Sequence, residues 1–264
     1  MHLFDQDISL ITQEPFLFKA DVSDNWLVNG IPNGGYIMAL LANAMLQNSD
    51  KKETPILTAN YISRCACGKA DLSTETISQS KQFNRMQAKL SQGGTERVRA
   101  FGTFAVKKDE CFIEKIEASA PDISPLDKCI AIPKFQNYTL FSNMDIRLEP
   151  ECIRWIEGRL SDKSLQKGWV KFNDDRAFDI FSIALIADSF PPAIFTSQGM
   201  IAWVPTIEFS VNIRSIPETK WLKCIFRTRF INCGLLEEDG EVWDENDNLV
   251  AISRQIAQFR EVSA

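Results

Sequence analysis

The sequence contains very little histidine: among its 264 residues there is one, His2, beside the N-terminus. Terminal residues are commonly frayed, so His2 is not expected inside the fold. A Ser-His-Asp hydrolase, a Cys-His hydrolase and a histidine-ligated metal enzyme each need a histidine in the interior. The sequence offers none, which argues against all three classes of enzyme.

Long apolar runs and an excess of basic residues are also missing. No window reaches the roughly 18 consecutive apolar residues that a membrane span requires. The formal net charge is −6, and no basic run suggests a nucleic-acid surface. The N-terminus lacks the basic region and long apolar stretch of a signal peptide. We therefore expect a cytoplasmic protein with no membrane span and no nucleic-acid partner.

The seven cysteines do not form a recognisable framework. An odd number in a chain of this length favours reduced thiols over disulfides. Cys65 and Cys67 stand two apart, so they would share one face of a strand, but there is no second cluster and no nearby histidine for zinc. We predict no metal site and interpret these residues as core packing.

Apart from these absences, the composition is that of an ordinary globular protein, with 45% hydrophobic and 24% charged residues. The chain has two halves with the same order of elements. In the first, an apolar helix within "IPNGGYIMALLANAML" precedes four segments with strand character, "ILTANYISRC", "DLSTETISQS", "NRMQAKLSQ" and "TERVRAFGTFAV". The last two are joined by "GG", which predicts a hairpin. In the second, the helical stretch "AFDIFSIALIADSF" precedes "WVPTIEFSVNIR", "WLKCIFRTRF", "LLEEDGEVWDE" and "NLVAISRQIAQFR".

Aligning the two helices shows that the halves are related but not chemically equal. "ALLANAM" (39–45) over "ALIADSF" (184–190) gives three identities and places Asn43 opposite Asp188. Continuing the alignment places Thr58 opposite Thr206, and Gly102 opposite Gln255. The repeated order favours a duplicated unit.

Both helices are apolar nearly all round, so each must be covered on most sides. Four or five long antiparallel strands curling around each helix would cover it, which predicts an α+β fold. Residues 107–165 carry much charge and several prolines, and we expect a connection there with a strand or short helix of its own. The expected organisation is 1–110, 111–165 and 166–264.

Gly34 and Gly35 begin the first helix, although glycine disfavours helix. One interpretation is functional: the unpaired N–H groups of a helix start attract a developing negative oxygen, and glycine lets a ligand approach the backbone. The other is structural, because two glycines let a strand pack tightly against the helix start. Spacing alone leaves both open.

Asp188 is a carboxylate near the C-terminal end of an apolar helix, where the dipole and poor solvation oppose its charge. Residues placed against local preferences of this kind tend to mark functional sites. Alternatively, Asp188 caps the turn into "SFPP" or lies at the surface.

Gln255 and Thr206 are the other polar candidates. Strand alternation places Gln255 on a face of small residues, which leaves room for a ligand or a water, or allows close helix packing with the amide satisfied by a backbone carbonyl. Strict alternation assigns Thr206 to a polar face with Glu208 and Ser210. A buried role for Thr206 requires a bulge or a strand start near Pro205.

With these residues in place, the chain resembles the double hot-dog acyl-CoA thioesterases of the type II class. The resemblance covers nearly the whole chain, with 107–165 the weakest part, and rests on the Gly-Gly helix start and the ordered set "ADS-PP", "VPT", "VWDE" and "SRQ". It implies two central helices, each wrapped by a curved antiparallel β-sheet. It also implies hydrolysis of an acyl-CoA thioester to free CoA and a carboxylate, with no cofactor beyond the CoA of the substrate.

Matched residue by residue, the resemblance assigns the attacking water to Asp188, Thr206 and Gln255. The helix start of the first half supplies backbone N–H groups to the thioester carbonyl, which maps to Gly34, Gly35 and Tyr36. Since the first half lacks the Asp and the Gln, we expect one active site per chain.

The resemblance has one departure and leaves the CoA contacts open. Asn33 stands where many relatives have histidine before the glycines, which affects substrate positioning. Arginines that could meet the CoA phosphates, or simply be solvated strand residues, are Arg64, Arg97, Arg99, Arg227 and Arg229.

Two other functions can be weighed on the same fold. Hot-dog hydratases and dehydratases use a catalytic histidine, which argues against them here. A non-catalytic carrier of acyl or aromatic ligands stays open, because the three polar residues could persist as a structural cluster. Hot-dog units pair side by side and commonly assemble further, so we expect a homodimer or larger homo-oligomer.

Overall fold

The computed structural model describes residues 1–106 and 113–261, the side chains of Thr54 and Glu261 apart. Its α-helices are α1 (Leu3–Asp7), α2 (Gly34–Gln47), α3 (Leu140–Asn143), α4 (Ile180–Ile186) and α5 (Phe195–Gln198), with 3₁₀ helices at Pro150–Cys152 and Arg154–Glu157. The strands of the first half are β1 (Ile11–Glu14), β2 (Leu17–Val22), β3 (Leu27–Val28), β4 (Ile31–Pro32), β5 (Glu53–Tyr61), β6 (Gly68–Gln79), β7 (Phe83–Gln92) and β8 (Thr95–Ala105). The later strands are β9 (Ile130–Ala131), β10 (Met144–Leu148), β11 (Ser164–Phe172), β12 (Ala202–Trp203), β13 (Thr206–Ile213), β14 (Leu222–Thr228), β15 (Ile231–Asn232), β16 (Leu235–Asp244), β17 (Leu249–Gln258) and β18 (Arg260–Glu261).

All eight predicted strand segments are confirmed, as β5 to β8 and as β13, β14, β16 and β17. The predicted hairpin between β7 and β8 turns at Gly93 and Gly94, whose φ angles are +58° and +77°. Both values lie in the left-handed region that the favoured two-residue hairpin turn requires, which explains the two glycines.

Fourteen strands from the two halves join in one sheet, whereas β3 pairs only with β4 and β12 only with β18 among the described residues. The order of this sheet is β1-β2-β6-β7-β8-β5-β13-β17-β16-β14-β11-β10-β9, with β15 paired to β16, and each strand is antiparallel to its neighbours. The halves meet where β5 pairs with β13. The curved sheet expected around each helix is thus replaced by a single sheet that both halves share. Strands β9 and β10, within the expected connection 111–165, extend the part of the sheet that belongs to the second half.

Helix α2 lies at the centre of the core, as its apolar sequence predicts. Every residue from Gly35 to Leu46 except Asn43 is buried. The helix packs on strands β5 to β8 and on α4. Among the described residues, no helix is both long enough and apolar enough to cross a membrane.

Helix α4 is shorter than the predicted stretch 177–190. It begins at a capping box, in which Asp179 accepts from the Ser182 amide and Ser182 accepts from the Asp179 amide. It ends at Ile186, and the next turn tightens through i to i−3 bonds from the amides of Asp188 and Ser189. Two prolines follow, which cannot donate backbone N–H groups to a continuing helix. The early end turns Asp188 out of the helical stack.

Candidate active site

A cavity of about 420 Å³ lies where the start of α2 meets the turn after α4. Its polar lining residues are Asn33, Gly34, Tyr61, Ser63, Arg64, Asp188, Thr206, Gln255 and Arg260. Its apolar lining includes Val28, Ile31, Ile37, Phe190, Pro192, Trp203 and Val204. The structure thus brings Gly34 and the three predicted side chains of the second half to one concave site, although they come from separate segments of the chain.

Asp188 is held by the start of the other helix. Its Oδ2 accepts from the Gly35 amide at 2.8 Å and from Asn33 Nδ2 at 3.1 Å. Asn33 Nδ2 also donates to the Asp188 carbonyl oxygen at 2.7 Å. The carboxylate therefore sits at the positive end of the α2 dipole, where a negative charge is favoured.

The pKa of Asp188 is nevertheless raised from 3.8 to about 7. Burial is the largest cause, because poor solvation penalises the charged form. The hydrogen bonds from the Gly35 amide and Asn33, and the nearby Gly34 amide, oppose that effect and lower the pKa. A carboxyl group poised near neutral pH is suited to accept and release a proton.

Thr206 reaches the cavity through an irregularity at the start of β13. The register with β17 shifts between Thr206 and Glu208, and both Ile207 and Glu208 are exposed. The shift moves Thr206 to the face that includes buried Phe209, as a β-bulge does. This is the condition under which the sequence allowed a buried role for Thr206.

Gln255 connects Thr206 to a residue that the sequence analysis did not single out. The Thr206 hydroxyl donates to Gln255 Oε1 at 2.8 Å, and Gln255 Nε2 donates to Glu238 Oε1 at 2.9 Å. Glu238 is 5% exposed. Strand alternation in β16 could have revealed it, because it shares a face with buried Leu236 and Val242.

The helix-start residues differ in what they offer a ligand. Gly34 lines the cavity, whereas the Gly35 amide is engaged by Asp188. The Tyr36 amide donates to Asn33 Oδ1, and the buried Tyr36 hydroxyl donates to the Asp7 carbonyl. The expectation that the start of α2 leaves all these amides accessible needs correction, because Asp188 and the Asn33 cap already occupy two of them.

Close contacts also explain why both positions are glycine. The sequence had left this structural explanation and the functional one open. A Cβ on Gly35 would lie 2.6 Å from the Ala184 carbonyl oxygen, so the glycine permits α2 to approach α4. A Cβ on Gly34 would lie 2.8 Å from Asp188 Oδ2 and 3.1 Å from the Tyr61 hydroxyl. The close packing is therefore against helix α4 for Gly35, and against Asp188 and the Tyr61 side chain of strand β5 for Gly34.

Tyr61 is a second residue that the sequence analysis missed. It ends β5, lines the cavity and donates its hydroxyl proton to the Gly34 carbonyl oxygen at 2.7 Å. Burial raises its pKa well above the usual value, with a further rise from the nearby charge of Asp188. A neutral tyrosine thus supports the helix start, a role for which its sequence carried no signal.

The arginines considered for the CoA phosphates differ in whether a carboxylate already pairs with them. Arg99 pairs with Glu96, Arg227 with Glu241 and Arg229 with Asp239. Arg97 donates to Ser63 Oγ. Arg64 lines the cavity and is exposed, as is Arg260, which the sequence analysis did not consider.

Two family models cover most of the chain. That of the acyl-CoA thioesterase N-terminal domain matches residues 22–105, and that of the acyl-CoA thioesterase C-terminal domain matches residues 120–259. The chain belongs to the acyl-CoA thioesterase family. The family supports thioester hydrolysis, and the resemblance inferred from the residues is confirmed.

Solved structures show that this family member has a hot-dog fold. A protein from Thermobifida fusca described as a thioesterase II has 21% identity and a TM-score of 0.89, over 98% of this chain and 97% of that chain. A hot-dog protein of unknown function from Alicyclobacillus acidocaldarius has 18% identity and a TM-score of 0.89, over 100% of both chains. Acyl-CoA thioesterase II TesB2 from Mycobacterium marinum has 16% identity and a TM-score of 0.77, over 98% of this chain and 99% of that chain. At these identities the likeness concerns the fold alone. No curated protein sequence matches the chain.

Proposed function

We propose that this chain hydrolyses an acyl-CoA thioester to free CoA and a carboxylate, using a water held by Asp188, Thr206 and Gln255. The observation that carries the proposal is that these three side chains and the start of α2 line one cavity. The apolar part of that cavity suits an acyl group, and family membership supplies the thioester.

The hydrogen-bond directions suggest how the water is held. Since Thr206 donates its proton to Gln255 Oε1, its oxygen is left to accept from a water. Ionised Asp188 accepts the other water proton. Attack of the water oxygen on the thioester carbon transfers that proton to Asp188. Collapse of the tetrahedral intermediate then breaks the C–S bond, and the proton goes to the departing CoA sulfur.

The negative oxygen of the intermediate would be stabilised by the start of α2. Gly34 lines the cavity, so we assign its amide as the donor, aided by the positive end of the helix. Gly35 and Tyr36 take supporting roles in the proposal, because their amides hold Asp188 and Asn33. The reaction needs only water and the residues of the chain, with no cofactor other than the CoA of the substrate.

Arg64 and Arg260 are the residues we assign to the CoA phosphates. Both line the cavity and both are exposed, so their charges can meet a ligand that extends from the cavity into solvent. Arg99, Arg227 and Arg229 are less suitable, since carboxylates already neutralise them.

We also propose a homodimer or larger homo-oligomer. The outer face of the sheet exposes Ile56, Phe101 and Ile252 on strands β5, β8 and β17, with exposures of 43%, 50% and 45%. Exposed apolar side chains grouped on one face are typical of an interface. Sedimentation velocity of the wild type beside an Ile56→Ser/Phe101→Ser variant tests this, since loss of the interface shifts the protein to the monomer.

The first test is CoA release from short, medium, long-chain and aromatic acyl-CoAs, measured by chromatography so that protein thiols do not interfere. We expect Asp188→Asn to lose at least ~100-fold in kcat, because a neutral amide cannot accept the water proton. Asp162→Asn removes an exposed charge elsewhere and is the matched control. Equal release by wild type and Asp188→Asn, or release by neither, would favour a non-catalytic acyl or aromatic ligand-binding protein.

A further inference from the structure

Glu238 is a buried carboxylate that the proposed hydrolysis does not use directly. It lies on β16 opposite Gln255 on β17, and both of its oxygens accept hydrogen bonds. Oε1 accepts from Gln255 Nε2 at 2.9 Å, and Oε2 accepts from the Ala193 amide at 2.5 Å. Ala193 follows the two prolines after α4, so Glu238 contacts both the strand and the turn that form the cavity wall.

In the part of the chain that the structure describes, no lysine or arginine forms an ion pair with Glu238, whose carboxylate accepts only from the Ala193 amide and Gln255. The charges of Asp188 and of Glu237, its neighbour on the strand, both raise the pKa of Glu238. The closest arginines in sequence and register, Arg229 and Arg254, pair with Asp239 on the opposite face of the strand. Burial is the largest cause that raises the pKa of Glu238 to about 7. A neutral glutamine would avoid this cost, so the carboxylate needs another explanation.

We propose that Glu238 is a positioning residue that sets the orientation of the Gln255 amide and, through it, the direction of the Thr206 hydroxyl. The inference rests on the proposed function. An ionised carboxylate only accepts hydrogen bonds, so it draws the NH₂ end of Gln255 toward itself. The carbonyl end of Gln255 then faces Thr206 and takes its proton. The Thr206 oxygen is thereby fixed as an acceptor toward the cavity.

Replacing Glu238 by glutamine would reverse this chain of hydrogen bonds while changing almost no volume. The Ala193 amide requires an acceptor, so the oxygen of the new amide turns toward it and its NH₂ end faces Gln255. Gln255 must then rotate to offer its carbonyl oxygen, and its NH₂ end faces Thr206. The hydroxyl becomes an acceptor from Gln255 and a donor toward the water, which removes one of the two acceptors that hold the water.

The test compares Glu238→Gln with wild type and with Glu241→Gln, which removes a charge from the outer face of the same strand. We expect Glu238→Gln to lower kcat at least ~10-fold at pH 8 with little change in KM, because the substrate contacts are retained. Glu241→Gln should resemble the wild type.

The pH profile separates positioning from a structural role. If both Asp188 and Glu238 must be ionised, log kcat of the wild type rises on its acid limb with a slope approaching two. Glu238→Gln should reduce that slope to one. Glu238→Asp keeps an acceptor-only group but cannot reach both partners, so it should lose activity and keep the steeper slope.

Folding is monitored by thermal unfolding of each variant. The raised pKa means that the folded protein binds this proton more tightly than the unfolded chain, so wild-type stability falls as pH rises from about 4.5 to about 7. We expect the melting temperature of Glu238→Gln to exceed that of the wild type increasingly across this range. If folded Glu238→Gln had the kcat of the wild type and the same slope of log kcat against pH, the positioning role would be overturned and the thioesterase proposal would stand. Absence of CoA release from wild type and Glu241→Gln alike would overturn both.

Discussion

The ends of α2 and α4 occupy matching places in the two halves, yet only one of them borders the cavity. After α4, Asp188 faces the cavity and the start of α2. At the matching place near the end of α2, Asn43 donates to the Ile8 carbonyl at 2.8 Å, just beyond α1. The N-terminal segment thus covers the corresponding end of the first half.

Helix α1 is fastened at this place by several contacts. Arg176 pairs with both Asp5 on α1 and Asp179 at the start of α4. Phe4 is fully buried and packs on Trp26 and Phe172, with ring centroids 5.2 and 5.4 Å away. A repeated helix-and-sheet unit thus becomes a site only where its end is left open and lined with polar groups.

The matched strand residues of the two halves differ in the same way as the helix ends. Thr58, matched to Thr206, lies on the outer face of the sheet and exchanges a hydrogen bond with Ser210 at 3.1 Å. Gly102, matched to Gln255, leaves room for Phe104 and Met45, which would lie 2.8 and 2.9 Å from a Cβ there. The first half therefore uses these three positions for a hydrogen bond to the N-terminal segment, a hydrogen bond on the outer face of the sheet and close packing.

The largest expected effect concerns the N-terminal segment. Phe4→Ala should reduce the free energy of unfolding by ~3–5 kcal/mol, because it removes a buried ring from a packed aromatic cluster. Urea unfolding measures the change. A reduction below ~1 kcal/mol would show that α1 is not an integral part of the first half.

The second prediction compares the two helix ends. Asp188→Asn should lower kcat by ~100–1,000-fold, whereas Asn43→Ala should leave kcat unchanged and reduce stability by ~1–2 kcal/mol through the lost bond to Ile8. Steady-state kinetics and urea unfolding of both proteins provide the comparison. Similar kinetic losses in the two variants would contradict the unequal roles of the halves.

The third prediction compares the matched threonines. Thr206→Val removes the hydroxyl but keeps the shape, and we expect kcat to fall by ~10–100-fold. Thr58→Val is the control from the other half and should retain wild-type kcat. The bulge at Thr206 would lose its proposed significance if the two variants had equal activity.

The last prediction concerns the pH dependence of stability. The pKa of Asp188 is raised from 3.8 to about 7, so the folded protein holds this proton more tightly than the unfolded chain. This contribution is fully present below pH about 4 and is lost as pH rises to about 7. Melting temperatures should therefore fall less steeply over this range in Asp188→Asn than in Asn43→Ala. Parallel curves would show that Asp188 is not buried in its neutral form.

Much of the fold was predictable because it depends on local periodicity. Alternating residues located eight strands, and the Gly93-Gly94 pair located a hairpin. The end of α4 was misplaced because the apolar Phe190 still follows Asp188 and Ser189, so hydrophobicity alone gives no clear stop before the prolines. Strands β9 and β10 were not located, since two and five residues are too short for a clear period.

The candidate site was predictable only in part. Asp188, Thr206 and Gln255 followed from the resemblance, but the sequence showed no reason for Thr206 to leave the polar face. Glu238 could have been found from strand alternation, whereas Tyr61 acts through a contact with Gly34 that no local pattern encodes.

By itself, the amino-acid sequence determined the elements, the repeated plan of two halves and the absence of an internal histidine, because each depends on residue type and spacing along the chain. Tertiary structure decided which helix end opens to a cavity, which backbone amides Asp188 and Asn33 occupy, and which way Gln255 is turned. Those features depend on contacts between residues up to 155 positions apart, such as Asn33 and Asp188. A contact of that kind forms only when the two halves share one sheet and their helices meet.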